Sequence, residues 1–322
     1  MPYAVQPLPF KPSALHGLSE RLLASHYVNN YGGAVRRLNA IEAELGAPEA
    51  AGQPGFRRNG LGREALIAAN SVILHEAYFD VLGGSGEPTG DLADALARDF
   101  GSLERWRRDF VAAGKALAGG SGWILLSWSP RLGRLVNQWA ADHGHCLADG
   151  HPVLALDMYE HAYHLDFGAD AGAYVDAFMR DVAWDRVAAR YRRAVAGVTA
   201  EAVTPVSARA EIAVAELQAL MDGDAVLVLD VRKREDLARS GARLPGALVR
   251  PADELREWAD GIPRDRPLVA YCVYGFQVCR GAAAELAAHG HDVRVLAGGF
   301  AAWQASGGST EPLDESTKEI RQ

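Results

Sequence analysis

The sequence predicts a multidomain chain whose C-terminal part is an α/β domain, a parallel sheet with flanking helices. Two observations carry this. At 322 residues the chain exceeds what one hydrophobic core ordinarily serves, whereas units of about 195 and 115 residues both lie in the usual range. Residues 205–310 alternate apolar strands with helices: AVLVLDVR, ADELREWADGI, PLVAYCVYG, GAAAELAAHG and VRVLAGG. That βα rhythm argues for parallel strands covered by helices. The joint is VAGVTAEAVTPVSARAEI, 195–212, small and polar with a single proline. The boundaries expected are 1–198 for the first domain and 205–310 for the second, with 311–322 as a polar, mobile tail.

Composition acts mainly by exclusion. The net charge is −8, and neither half of the chain is basic, so nucleic acid is a poor partner. No apolar stretch approaches a membrane span, and MPYAVQPLPFKPS lacks the charged start and apolar centre of a signal peptide. Three cysteines, odd in number and far apart, make no disulfide framework. A reducing cytoplasm is the expected location.

The chemistry of the first part rests on His26, His75, Asp157 and His161. Asp157 and His161 are four positions apart in LALDMYEHAYHLDF. They meet on one face if the segment is helical, and stay close if a strand ends there and a helix begins. Three neutral imidazoles and one carboxylate suit a borderline ion such as iron or manganese.

The words around these residues resemble a known family. LDMYEHAYHLDF, 156–167, resembles the D-x-W-E-H-A-Y signature of iron/manganese superoxide dismutases. LPF at 8–10 resembles the family's opening LPY. LSERLLASHYVNNYGGAVRRLN, 18–39, lines up with its first long helix, and AANSVILHEAYFDVL, 68–82, with its second. GEPTGDLADALARDFGSLERWRRDF resembles the linker and third helix, and GSGWILLSW the central strand. The resemblance covers about residues 1–195. It implies a helical hairpin (1–85) followed by an α/β (α+β) part (90–198).

It also implies roles. His26, His75, His161 and Asp157 become the ligands of one ion per subunit, with solvent completing the site and superoxide as substrate. The loop NQWAADHGHC offers His143, rather than His145, as the histidine facing the bound solvent, since the glutamine position on the second helix reads Ser71. That histidine occurs often among iron members, which favours iron, with manganese as the alternative. Glu160 and Tyr163 match residues that reach a partner subunit, so a homodimer or dimer of dimers is expected. Trp123 matches an aromatic wall of the metal pocket.

The chain also departs from the pattern. The gateway histidine and tyrosine read Asn30 and Ala34, and Tyr159 replaces a tryptophan. Asn30 can bond but cannot titrate, and Ala34 leaves a wider mouth, into which Tyr31 could swing. Gly32 and Gly33 each cost roughly 1 kcal/mol in a helix interior, which suggests a kink or local opening.

The second part carries DVRKREDL, LPGAL, YCVYGFQV and LAGGFAAW. In this order they resemble the motifs of a rhodanese-like domain, over about 205–307. The resemblance makes Cys272 a nucleophile at the mouth of a loop between strand and helix, taking sulfur from a small donor as a persulfide. Loop N–H groups and the helix N-terminus would acidify it. The usual C-x-x-G-x-R-S reads C-V-Y-G-F-Q-V here, so Gln277 and Val278 replace arginine and serine and anionic donors lose a cation. Asp230 and Arg232 are expected to brace the loop, Arg280 to sit on the helix, and Cys279 to be a small packed residue rather than a second working thiol.

Three functions compete on this evidence. The first is a metal-dependent superoxide dismutase fused to a sulfurtransferase-like domain. The second is a metal-binding redox sensor or scaffold with weak turnover and a regulatory rhodanese-like module, which Asn30 and Ala34 favour. The third makes sulfur transfer the main activity and the first domain a dimerising element.

Overall fold

A computed structural model of the chain describes residues 2–48, 52–197 and 211–313. Contacts divide the chain into two compact units: Leu8–Thr204 with Met1–Tyr3, and Pro205–Gln322 with Ala4–Pro7. Most of the expected joint, residues 198–210, lies outside the described residues.

The first unit opens with a helical hairpin. Helix α1 (Glu20–Ser25) is capped by Ser19, whose hydroxyl accepts the Leu22 N–H, a favoured N-terminal arrangement. A π-helical stretch, His26–Tyr31, follows, and α2 (Gly32–Gly46) continues it. The single helix expected over 18–39 is therefore interrupted. A π turn widens the helix and is characteristic of functional sites; here it starts at His26. Helix α3 (Gly55–Asp80) packs against α2, burying Ser71, Leu74, His75 and Tyr78 on one stripe, as helical spacing requires.

Helices α4 (Gly90–Phe100) and α5 (Leu103–Ala116) lead into a three-stranded antiparallel sheet. The linker and single helix expected over 86–110 are two helices. Gly101, at φ +90°, ends α4, and Ser102 caps α5 by accepting the Arg105 N–H at 3.1 Å. A glycine in that backbone region stops a helix at little steric cost. Strands β1 (Trp123–Ser129), β2 (Arg134–Ala140) and β3 (His151–Asp157) lie in the order β2-β1-β3. Trp123 pairs with Asp157 across the sheet, which brings the pocket's aromatic wall beside a candidate ligand. Helices α6 (His164–Phe167), α7 (Ala171–Arg180) and α8 (Trp184–Val195) complete the unit.

The second unit is a parallel sheet. Its elements are β4 (Glu211–Ile212), α9 (Val214–Asp222), β5 (Leu227–Asp230), α10 (Arg234–Ser240), β6 (Ala242–Arg243), β7 (Leu248–Val249) and α11 (Leu255–Trp258). Then come β8 (Leu268–Tyr271), α12 (Gln277–Ala288), β9 (Val293–Leu296), α13 (Gly299–Ala305) and β10 (Glu311–Pro312). Five strands run parallel in the order β4-β9-β8-β5-β7. Side chains alternate along β8: Leu268 and Ala270 enter one apolar cluster, Val269 and Tyr271 the other. Cys272 continues the first set, so alternation turns it toward the face where α12 packs. The expected tail begins differently. Glu311–Pro312 pairs antiparallel with Ala242–Arg243, held by an Arg243–Glu311 ion pair at 2.8 Å, and residues 314–322 lie outside the described residues.

Candidate functional site

Four elements bring His26, His75, Asp157 and His161 together. His26 opens the π stretch, His75 lies on α3, Asp157 ends β3, and His161 sits in a short 3-10 turn, Glu160–Ala162. Of the two geometries the Asp157–His161 spacing allowed, the strand end followed by a turn is the one formed. One potential ligand atom from each residue lies within 4.8 Å of all the others. Asp157 Oδ2 is 3.1 Å from Nε2 of His26, 3.2 Å from that of His161 and 3.6 Å from that of His75. Its other oxygen accepts the Tyr159 N–H at 2.9 Å, which fixes the carboxylate. Only His161, 26% exposed, is open to solvent; the other three are buried.

The protonation of this cluster suits a cation. His75 Nδ1 donates to the Ser71 carbonyl at 2.7 Å, so the neutral ring carries its lone pair on Nε2. Burial, and then His26 beside it, holds His75 down to about 3. Burial likewise lowers His26. Burial alone would raise Asp157, but His161 and His26 overcome it and keep the carboxylate ionised, well below its usual range. Neither Nε2 of His26 nor that of His75 has a hydrogen-bond partner among the described residues. A buried polar atom left unpaired costs about 1–3 kcal/mol, and a positive ion among these four atoms would remove that cost. Imidazole and carboxylate donors fit iron or manganese.

Aromatic rings surround the cluster. Trp123 and His75 meet edge to face, with centroids 5.3 Å apart at 86°, and Trp123 donates its indole N–H to His143 Nδ1 at 3.0 Å. His143, Tyr159 and His161 form a stack: centroids are 5.1 Å apart at 18° and 5.4 Å apart at 9°. Asn70 holds the His143 loop by donating to the His143 carbonyl at 2.6 Å. His145 lies outside, exposed, against the ring of Trp139. Tyr31 is buried; its ring lies 6.3 Å from His75 at 28°, and its hydroxyl donates to Glu76 at 2.8 Å. Asn30 and Ala34 are half-buried nearby in sequence. A surface cavity of about 370 Å³ is lined by Gly119, Gly120, Ser121, Tyr159, Glu160 and His161. Glu160 is exposed there, whereas Tyr163 is buried by its own chain and stacked on Tyr174.

The second constellation lies in the loop between β8 and α12. Gly275, at φ +79°, leaves no room for a side chain, since a Cβ would meet Gly298 N at 2.8 Å. The loop thereby presses onto the start of α13, where the Phe300 N–H donates to the Cys272 carbonyl at 2.9 Å. Cys272 is 6% exposed. A hydrogen bond from Cys279 outweighs the opposing effect of burial, and with N–H groups of Cys279, Gly275 and Phe276 it lowers the Cys272 thiol below its ordinary range. Cys279, in the first turn of α12, is fully buried, and its sulfur lies 3.0 Å from that of Cys272. Cys279 is a packed residue of the apolar cluster, as expected, but not one remote from Cys272. The loop folds back, so that seven positions in sequence become one sulfur contact. Arg280 pairs with Glu211 at 2.6 Å. Arg232 is buried and bidentate to Asp230, which also accepts the Tyr271 hydroxyl at 2.6 Å. Its guanidinium covers Phe300 at 4.1 Å, so this pair braces the fold.

Comparison with known proteins bears on both units. The family model described as iron/manganese superoxide dismutases, C-terminal domain, matches residues 88–190. The chain is 62% identical over 195 residues to Superoxide dismutase [Fe] of Cupriavidus metallidurans, covering 61% of this chain and 99% of that protein. The chain belongs to the iron/manganese superoxide dismutase family. It is 37% identical to Superoxide dismutase [Mn] 2 of Haloferax volcanii, over 61% of this chain and 98% of that protein. It is 32% identical to Superoxide dismutase [Fe] of Aquifex pyrophilus, over 58% and 89%. The rhodanese-like domain model matches residues 213–306, so a rhodanese-like domain follows the dismutase part.

As a superoxide dismutase the chain is an oxidoreductase with iron or manganese as its cofactor. Within this dismutase unit, sequence reasoning missed Asn70 and the stacking of Tyr159. Asn70 stands next to Ser71 in the helix motif, but nothing in the sequence says that a loop 73 positions on lands above it. Tyr159 was noted only as a replacement for tryptophan.

Proposed function

We propose that His26, His75, Asp157 and His161 bind one iron ion per subunit and that the first unit converts superoxide to hydrogen peroxide and dioxygen. The observation that carries this is the buried set of unpaired imidazole nitrogens around an ionised carboxylate. When bound, the ion supplies the one-electron exchange, oxidising one superoxide and reducing the next. The residues do the remainder. Burial of three of the four ligands excludes competing solvent, and Tyr159 N–H holds Asp157 in place. Since His143 Nδ1 accepts from Trp123, the neutral His143 ring has its proton on Nε2, available to a solvent molecule beside the ligands. Tyr31 and Glu76 hold a second proton-bearing pair against His75. Glu160, exposed at the cavity mouth, is the side chain through which we expect a homodimer, or a dimer of dimers, to complete the site.

The test is superoxide turnover per bound ion on the whole chain, with iron and manganese counted in the same sample. A rapid, metal-proportional rate lost in His161→Ala is the expected result. Stoichiometric metal with little turnover would overturn it in favour of a metal-binding sensor or scaffold, the reading that Asn30 and Ala34 favour.

For the second unit the reading is sulfur transfer through a Cys272 persulfide from a small sulfur donor, supported by the acidified thiol in its loop. With Gln277 where an arginine is usual, neutral or hydropersulfide donors suit it better than dianions. Mass spectrometry after donor exposure should show one added sulfur on Cys272, and its persistence in Cys272→Ser would remove the reading. No helix among the described residues is long and apolar enough to cross a membrane, and all three cysteines are free thiols, which supports a cytoplasmic setting.

A further inference from the structure

We propose that Cys272 and Cys279 form an intramolecular disulfide when a hydroperoxide oxidises Cys272, which makes Cys279 the resolving thiol of the loop. Three observations converge. The two sulfurs are already 3.0 Å apart. Both thiols belong to one buried cluster on the same face of the sheet, because alternation along β8 and the first turn of α12 point them toward each other. The Cys279 sulfur also lies 3.4 Å from the carbonyl of Phe276, the residue that caps α12, which places it at the junction of loop and helix.

The chemistry balances with hydrogen peroxide alone. The Cys272 thiolate attacks one peroxide oxygen; the S–O bond forms, the O–O bond breaks, and hydroxide leaves and takes up a proton as water. Cys272 is now a sulfenic acid, oxidised by two electrons. Cys279 sulfur then attacks it; the S–S bond forms, the S–O bond breaks, and the departing hydroxide leaves as water with the Cys279 proton. Two thiols and one peroxide give one disulfide and two waters. The disulfide stops Cys272 from accepting sulfur and protects it from irreversible overoxidation. That the dismutase unit makes hydrogen peroxide rests on the reading above; the disulfide does not, since the test supplies peroxide directly.

The sequence makes the test direct. Arg266 precedes Pro267, so trypsin leaves both cysteines on one peptide, DRPLVAYCVYGFQVCR, residues 265–280. The whole chain is reduced, exposed to one equivalent of hydrogen peroxide, quenched with dimedone and iodoacetamide, and digested. The expected peptide is lighter by two hydrogens, unalkylated, and restored by dithiothreitol. In Cys279→Ser that species should be lost and a dimedone adduct should appear on Cys272, while Cys146→Ser should leave the result unchanged. The wild-type map decides the matter even where a variant fails to fold. A dimedone adduct or sulfinate on Cys272 with Cys279 alkylated, both thiols alkylated, or a link between two chains would each overturn the proposal.

Discussion

Trp123 donates its indole N–H to Nδ1 of His143, and that bond decides which nitrogen of the ring carries the proton. A loop histidine becomes a directed donor because one buried tryptophan selects its tautomer. His143→Ala should therefore keep the metal and lower turnover roughly 10–100-fold, the usual loss when a group supporting a metal site is removed; iron content and superoxide turnover measured together check this. The thiols give a prediction in pH. Cys272 is held below the ordinary thiol range, chiefly by its bond from Cys279, whereas burial raises Cys146. The thiolate reacts, so in reduced protein the alkylation rate at Cys272 should rise with pH at lower values than at Cys146. Site-resolved mass spectrometry across pH reads both; equal midpoints would refute it.

At the scale of elements, the βα rhythm of the second unit was legible because β5 and β8 are buried on both faces and read as continuous apolar runs. The candidate ligands were legible differently, as residue types at fixed places within motifs, and the structure brings the four side chains together. What the chain hid were contacts created by loops closing: Cys279 on Cys272, Asn70 on the His143 carbonyl, and β10 on β6. No periodicity encodes such meetings. The break between α4 and α5 was written in Gly101–Ser102 but masked by the apolar spacing on either side. Asp230 and Arg232 sit at the end of β5, where the carboxylate is the buried partner of a buried guanidinium. Asp230→Ala leaves that charge unpaired and should cost about 3–5 kcal/mol. Denaturant unfolding of the variant, followed by tryptophan fluorescence, to which Trp303 on α13 contributes, would show a shifted midpoint.

Across the molecule, the candidate ligands are drawn from residue 26 to residue 161, from a helix junction, a long helix, a strand end and a turn. An ion held by all four ties the hairpin to the sheet. It binds the folded state and finds no such cage in the unfolded chain, so removal by a chelator should lower the thermal midpoint. At a hundredfold excess over the dissociation constant the loss corresponds to about 2.7 kcal/mol. Calorimetry of metal-free and reloaded protein measures it, and an unchanged midpoint would count against the site. The burial of His26, His75 and Asp157 has one more consequence. His161, the one partly exposed member of the set, is the side on which an ion would enter or leave, so exchange in the folded protein should be slow beside that of an open surface site. A metal offered to the chain while it folds would meet no such restriction. The metal a molecule carries should then reflect in part the supply at the moment it folded, which refolding in iron or in manganese, followed by a challenge with the other metal, would reveal.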